Sequence, residues 1–240
     1  MKDGYERYYK GSGVGQQHPS KSMNNLSAFF KEKGVKRILD FYCGAGRNSI
    51  FLAKKGFKIY GFDKSEIAIQ MALTKQVRAK TKVKFKLLML KSKLPYKDGF
   101  FDAVIAVRAL YQAKMADIKK YVKEIDRITK TGGYFYIESD QHFTWQRKRV
   151  SGQIKTRENG TYRHGSRGDY YHYFTKTELK NLFENYKTIR FYFKNRRFYI
   201  LLQKPIKKIN NQPRRRMATS NHKGTFSDKI TMNRADKGFY

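Results

Sequence analysis

Four residues in the first third of the chain have the types and spacing to bind a charged nucleoside. They are Asp40, Gly44, Gly46 and Asp63, within VKRILDFYCGAGRNSIFLAKKGFKIYGFD from Val35 to Asp63. Glycines permit a turn that side chains would obstruct and let a ligand approach bare backbone. Asp63 follows the turn by about 20 residues, the spacing at which an acid in nucleotide-binding α/β folds accepts hydrogen bonds from two ribose hydroxyls. Asp40 precedes the turn, where its carboxylate would repel a pyrophosphate, and the third glycine of a G-x-G-x-x-G loop is replaced by Ser49. A dinucleotide is therefore disfavoured, and an ammonium group suits Asp40 better. S-adenosylmethionine carries an ammonium, a sulfonium and a ribose, and so offers partners to both acids.

Strands and helices must position these residues. Val35 to Phe41 is apolar enough for a buried parallel strand, and Ile50, Phe51, Leu52 and Ala53 suit a helix from Asn48 to Lys55 that Gly56 ends. Phe57 to Phe62 reads as the second strand, delivering Asp63 at its carboxyl end. Ser65 is placed to cap a helix bearing Ile67, Ile69, Met71 and Ala72, and Val83 to Leu90 and Phe101 to Val107 read as strands three and four. Ile118, Tyr121, Val122, Ile125 and Ile128 recur at helical spacing before Gly132 and Gly133 turn the chain into a fifth strand, Tyr134 to Glu138. Thr175 caps a helix from Lys176 to Asn185, and Thr188 to Phe193 with Arg197 to Gln203 form a closing hairpin around Lys194 to Arg196. Upstream, Ser20 or Ser22 is expected to cap a helix reaching Lys33.

In these stretches the chain resembles the class I, Rossmann-like S-adenosylmethionine-dependent methyltransferases. ILDFYCGAGRNSIFLAKKGFKIYGFDKSEIAI is similar to their first two motifs, and LPYKDGFFDAVIAV to the approach to their fourth strand. EIDRITKTGGYFYI is similar to their helix, turn and fifth strand, and HYFTKTELKNLF to the late substrate-side helix of the small-molecule group. The likeness runs from Pro19 to Lys204. It implies an α/β fold with a doubly wound seven-stranded sheet, mostly parallel, with an antiparallel closing hairpin and helices on both faces. It implies S-adenosylmethionine as cofactor, with Asp40, Gly44 and Gly46 at the methionine end and Asp63, beside Lys64, at the ribose. Tyr42 stands where the family usually has its first glycine, and its ring is expected to narrow the loop beside the methionine moiety. No acid falls near Met89 and Leu90, so adenine is expected there through apolar or backbone contact.

Composition bounds the rest. Among 240 residues, 53 Lys and Arg against 19 Asp and Glu give a formal net charge of +34, which should draw polyanions by counterion release. A lysine-decorated surface with no such partner is the other reading. A hydrophobic content of 40% suits one domain plus an appendage. The single cysteine, Cys43, excludes an internal disulfide framework and fits a reducing compartment; inside the glycine turn it reads as packing rather than as a nucleophile. MKDGYERYYK lacks an apolar core, and no run approaches a membrane span, so a cytoplasmic location is expected. The expected organisation is a flexible N-terminal lid over 1–18, hinged at GSGVG, a methyltransferase domain over 19–205 and a disordered basic tail over 206–240.

Ligands of such sheets sit at the carboxyl ends of the strands, near the switch in strand order. Arg108, just past the fourth strand, is expected to pair with the methionine carboxylate or an anionic substrate, with Tyr111 and Gln112 lining the same crevice and Tyr9 reaching it from the lid. The segment 139–173 interleaves Arg147, Arg149, Arg163 and other cations with His142, Trp145, Tyr162 and Tyr170. It reads either as a substrate-side insertion suited to phosphates and bases or as a solvated hairpin.

Transfer of a sulfonium methyl needs an in-line nucleophile, so positioning dominates, a base is needed only for protonated acceptors, and no metal is demanded. His172 and Tyr173 are the expected catalytic pair, His172 because imidazole titrates in the useful range; a histidine that merely packs beside aromatic rings is the alternative. VRALY after the fourth strand lacks the Asn/Asp-Pro-Pro-aromatic run of the enzymes that methylate adenine or cytosine amino groups, and Cys43 is misplaced for cytosine C5 chemistry. A small-molecule acceptor leads. Ribosomal or transfer RNA, or an RNA-binding relative without turnover, is the alternative.

Overall fold

A computed structural model describes residues 4–11, 17–90, 93–140, 153–165 and 168–206. The glycine-turn region forms as its pattern requires: β1 (Arg37–Phe41), α3 (Arg47–Lys54) and β2 (Lys58–Asp63), preceded by α1 (Gly4–Gly11) and α2 (Met23–Glu32). The chain continues through α4 (Glu66–Arg78), β3 (Val83–Leu87), β4 (Phe101–Val107), α5 (Met115–Ile128) and β5 (Thr129–Asp140). Three short strands follow, β6 (Gln153–Lys155), β7 (Thr161–His164) and β8 (Tyr170–His172), then α6 (Lys176–Leu182), β9 (Lys187–Lys194) and β10 (Arg197–Gln203).

The main sheet has seven strands in the order β3-β2-β1-β4-β5-β10-β9. The first five pair in parallel, and β10 pairs antiparallel with both β5 and β9. Strand order therefore reverses between β1 and β4, whose carboxyl ends open the crevice. Ile118, Val122, Ile125 and Ile128 of α5 pack into the core on one face, while Met23, Leu26 and Phe30 of α2 and Leu52 of α3 belong to a second buried cluster. Among the described residues, no helix is long and apolar enough to cross a membrane.

Local signals explain most element ends. Ser65 caps α4 by accepting from the Ala68 amide, and Thr175 and Glu178 form a reciprocal capping box at α6. Ser22 precedes α2 but makes no cap; its hydroxyl and that of Ser20 turn instead to the buried carboxylate of Glu138. The third strand stops at Leu87, short of the expected Leu90. The insertion is more than a loop. β6, β7 and β8 form their own antiparallel sheet, and Thr161, Tyr171, His172 and Tyr173 in it are buried. The expectations for His142, Trp145, Arg147, Arg149 and the basic tail lie outside the described residues.

Lys194 and Arg197 pair directly, leaving a two-residue turn with φ of 50° at Asn195 and 65° at Arg196. Such a hairpin turn needs the left-handed region twice, which Asn accepts and Arg resists. Replacing Arg196 with Gly should stabilise the fold by up to about 1 kcal/mol, read as a raised denaturation midpoint at unchanged slope.

Candidate functional site

The turn between β1 and α3 is held in left-handed backbone, with φ of 51° at Tyr42, 55° at Gly44 and 72° at Gly46. A Cβ at Gly46 would stand 2.7 Å from the Phe85 ring, so only glycine admits this close packing of α3 against α4 and β3. The Cys43 amide donates to the Phe62 carbonyl at 2.9 Å, tying the turn to β2. Asp63 completes the tie: its carboxylate accepts from the Gly44 amide at 2.8 Å and from the Ser65 amide at 3.0 Å. Each carboxylate oxygen keeps a further lone pair for a ligand hydroxyl.

Asp40 sits on the other side of the same turn, 2% exposed, accepting from the Ser49 hydroxyl at 2.6 Å. Burial pushes its carboxyl up to about 7 against the opposing pull of the Ser49 hydrogen bond and Arg47, and the charge of Asp63 adds to the rise. Burial likewise raises Asp63. The two acids thus share one electrostatic environment around Gly44. Both also raise the Cys43 thiol, which burial already drives up, so Cys43 stays protonated and inert.

The residues expected at the adenine and ribose divide in placement. The Tyr42 ring lies in a cluster with Phe41, Phe62 and Tyr121, and its hydroxyl reaches the Leu90 backbone. Leu90 is buried and Met89 is half exposed. Lys64 lies 3.7 Å from the Asp169 carboxylate, linking the end of β2 to the insertion.

At the carboxyl ends of β4 and β5, charged groups converge under cover. Arg108, with φ of 57°, donates its amide to the Glu138 carbonyl at 2.7 Å, and its guanidinium lies 3.8 Å from Asp140. Burial works against its charge, but Tyr111 and Asp140 outweigh burial and raise its pKa. Asp140 also accepts from the Tyr111 hydroxyl at 3.2 Å and from Arg197 at 2.8 Å, while Arg197 stands 3.6 Å from Glu138. Gln112 donates to the Arg108 carbonyl at 2.8 Å, so it braces the loop carrying Arg108. Arg47 faces the same cluster. Burial lowers its pKa, Glu138 opposes that drop, and Arg108 adds to it. Arg47 also faces Asp40, so Arg47, Arg108 and Arg197 share the carboxylates of Asp40, Glu138 and Asp140. Arg47 and Arg197 were not singled out from the sequence, and Ser20 only as a helix cap, because nothing in local spacing joins Ser20 to Glu138 or Arg47 to Arg108.

α1 covers the turn. The Glu6 carboxylate accepts from the first amides of α4, at 2.5 Å from Glu66 and 3.4 Å from Ile67, an anion at a helix N-terminus. This anchors Tyr9 over Gly44, where a Cβ would collide with the Tyr9 hydroxyl. Tyr9 is within reach of Asp63 and Arg47, and burial raises its pKa.

The expected catalytic pair lies deep. His172 is 1% exposed, with Nδ1 2.7 Å from the Thr161 hydroxyl and Nε2 3.4 Å from Glu178; its ring meets Phe174 edge-on, and its amide donates to the Tyr111 carbonyl. Both ring nitrogens face protein groups, the Thr161 hydroxyl and the Glu178 carboxylate. Tyr173 is equally buried, stacked with Tyr171 at 6.4 Å and tilted against Tyr111 at 6.0 Å. Arg163 is exposed on β7.

The comparisons agree with this geometry. A family model described as "Methyltransferase domain" matches residues 32–187. A methyltransferase of Synechocystis sp. is 30% identical over 102 residues, 42% of this chain and 46% of the relative, so the match spans about half of that protein. A solved S-adenosylmethionine-dependent methyltransferase of Methanosarcina mazei is 27% identical with a TM-score of 0.63, covering 72% of this chain and 94% of its own. The 1,6-didemethyltoxoflavin-N1-methyltransferase of Burkholderia thailandensis, solved with that compound and S-adenosylhomocysteine, shares the fold at 17% identity and a TM-score of 0.59, over 77% of this chain and 79% of its own. With the family match covering more than half of the residues and the fold and turn agreeing, the chain belongs to the class I S-adenosylmethionine-dependent methyltransferases.

Proposed function

We propose that this chain moves the methyl group of S-adenosylmethionine to a small-molecule acceptor. The observation that carries the cofactor assignment is Asp40: a buried carboxylate with a raised pKa beside a left-handed glycine turn, whose charge an ammonium would stabilise. In this reading Asp40, Gly44 and Gly46 hold the methionine end, with Arg47 and Arg108 beside its carboxylate. Asp63 and Lys64 lie at the ribose, and Tyr42, Met89 and Leu90 at the adenine. When bound, the cofactor supplies an electrophilic methyl on sulfur. The chain's own residues orient the partners and exclude water.

The small acceptor is supported by what covers the crevice. Tyr9 closes over the turn from α1. The insertion is fastened by Asp169 to Lys64, by Tyr171 to Tyr111 at 6.0 Å, and by the Glu158 carboxylate accepting from the Met115 amide at the start of α5. Such anchoring suits an enclosed ligand better than a polymer, and the Burkholderia neighbour was solved with a small compound bound. Tyr9, Tyr111, Gln112 and Tyr173 are the acceptor-side residues of this reading, with Tyr111 and Tyr173 positioning by packing. Labelled cofactor offered to a metabolite extract and to total RNA tests the acceptor: label confined to RNA overturns the small-molecule reading.

Asp40 makes cofactor affinity depend on pH. Below about pH 7 the carboxyl is protonated and the ammonium loses its partner, so calorimetric affinity for S-adenosylmethionine should fall by up to tenfold per pH unit below 7, and flatten above it. Stability runs the other way. A carboxyl raised in the folded state contributes stability below its unfolded pKa, near 4, and loses it as pH rises through about 7. Asp40→Asn should therefore bind cofactor poorly yet melt higher than the parent at pH 8, with the two converging near pH 4.

The lid gives a kinetic expectation. Tyr9→Ala should speed both association and dissociation of S-adenosylmethionine in stopped-flow measurements, the dissociation rate rising about tenfold through loss of the covering ring. Unchanged rates would remove Tyr9 from the site.

A further inference from the structure

At the opposite edge of the sheet from β9, β3 pairs with β2 alone among the described residues. The Leu88 amide donates to the Asp63 carbonyl at 2.9 Å, so alternation turns the backbone of Lys84 and Lys86 toward β2 and that of Phe85 and Leu87 toward the free side. The first outward amide, that of Val83, donates to the Gln76 side chain at 2.9 Å, and the described residues supply no partner to the next two. Side chains alternate as well. Phe85 turns its ring to Gly46 and Ala72 on the α4 side, which puts Leu87, 49% exposed, on that side too. Lys84 lies over the Tyr60 ring on the other side, with the exposed Lys86 on the same flank. On α4, Leu73 and Val77 lie one turn apart beside Gln76, and both are exposed. No acid occurs between Glu66 and Asp98, a stretch holding nine lysines and arginines. The edge therefore combines free backbone, an apolar flank and a cationic flank. Lysines on an edge strand also stop a protein from pairing with its own copies. That role accounts for Lys84 and Lys86 but not for the exposed Leu73, Val77 and Leu87.

We propose that β3 receives an extended acidic segment of a partner protein as an added strand, whose residues alternate between acids facing Lys84 and Lys86 and apolar side chains facing Leu87. The backbone groups of Phe85 and Leu87 supply the hydrogen bonds of such an addition, and the two flanks select the side chains. An antiparallel second copy would set its lysines against Lys84 and Lys86, and like charges directly opposite repel. A nucleic acid or an anionic membrane would meet the lysines but offers no peptide backbone to the free edge. The inference is independent of which acceptor is methylated.

The test uses the full chain and fluorescein-labelled peptides of about ten residues, followed by anisotropy at physiological salt. One peptide alternates glutamate with valine; a second has the same residues sorted into an acidic and an apolar half. The alternating peptide should bind about tenfold more tightly than the sorted one. Lys84→Glu/Lys86→Glu should bind it about tenfold more weakly and should gain binding to a peptide alternating lysine with valine, a gain that only a folded edge can give. Lys86→Glu alone, a change at an exposed position, should shift both affinities about threefold in the same directions. Hydrogen exchange at the Phe85 and Leu87 amides should slow when the glutamate peptide binds. The proposal is overturned if the alternating and sorted peptides bind alike, if Lys86→Glu with the parent's melting midpoint binds both charged peptides as the parent does, or if those two amides exchange as before. It is overturned as well if single-stranded RNA of the same charge binds the parent more tightly than the alternating peptide and loses as much in the double variant, since a nucleic acid would then be the occupant. A parent that sediments as a dimer which Leu87→Lys dissociates would overturn it in favour of a second copy.

Discussion

The hydrogen bond from the Gly44 amide to the Asp63 carboxylate is the contact on which the rest of the site depends. It joins the turn after β1 to the end of β2, and it can form only because those strands are parallel neighbours with Phe41 opposite Phe62. Left-handed backbone at Gly44 and Gly46 aims the amides and starts α3 under the same roof as Asp40. A one-residue slip in the β1–β2 register would send Asp63 to the opposite face of the sheet and dismantle the turn.

Burial of charge follows from that geometry. Asp40 is held where its ionised form is disfavoured, and Arg47, Arg108 and Arg197 gather around Asp40, Glu138 and Asp140. An isolated globular fold has no use for such strain. Groups tuned away from their ordinary pKa tend to cluster at functional sites. In the function proposed above, the zwitterionic methionine end of the cofactor meets both Asp40 and the arginines.

The covering elements come from distant parts of the chain and use one device. Glu6 from α1 sits on the first amides of α4, and Glu158 from the insertion accepts from the first amide of α5. Each places an anion at a helix N-terminus, which favours negative charge whatever the sequence distance. Tyr9 is thereby held against Gly44, and the insertion is tied to the start of α5. The β9–β10 hairpin closes the far edge of the sheet.

The sequence by itself determined the α/β alternation, the glycine turn, the two acids and the caps at Ser65 and Thr175, because each rests on local physics: hydrophobic period, left-handed backbone, and side chains bonding to amides a few residues away. Tertiary structure decided what those rules cannot reach. It turned the Tyr42 ring toward Leu90 and took Ser20 and Ser22 from capping to Glu138. It enclosed His172 between Thr161 and Glu178 and set Arg47 among charges from β4, β5 and β10. Those outcomes depend on which buried polar group finds which partner once strands far apart in sequence lie side by side, and a desolvated charge or hydroxyl takes the partner that packing brings near it.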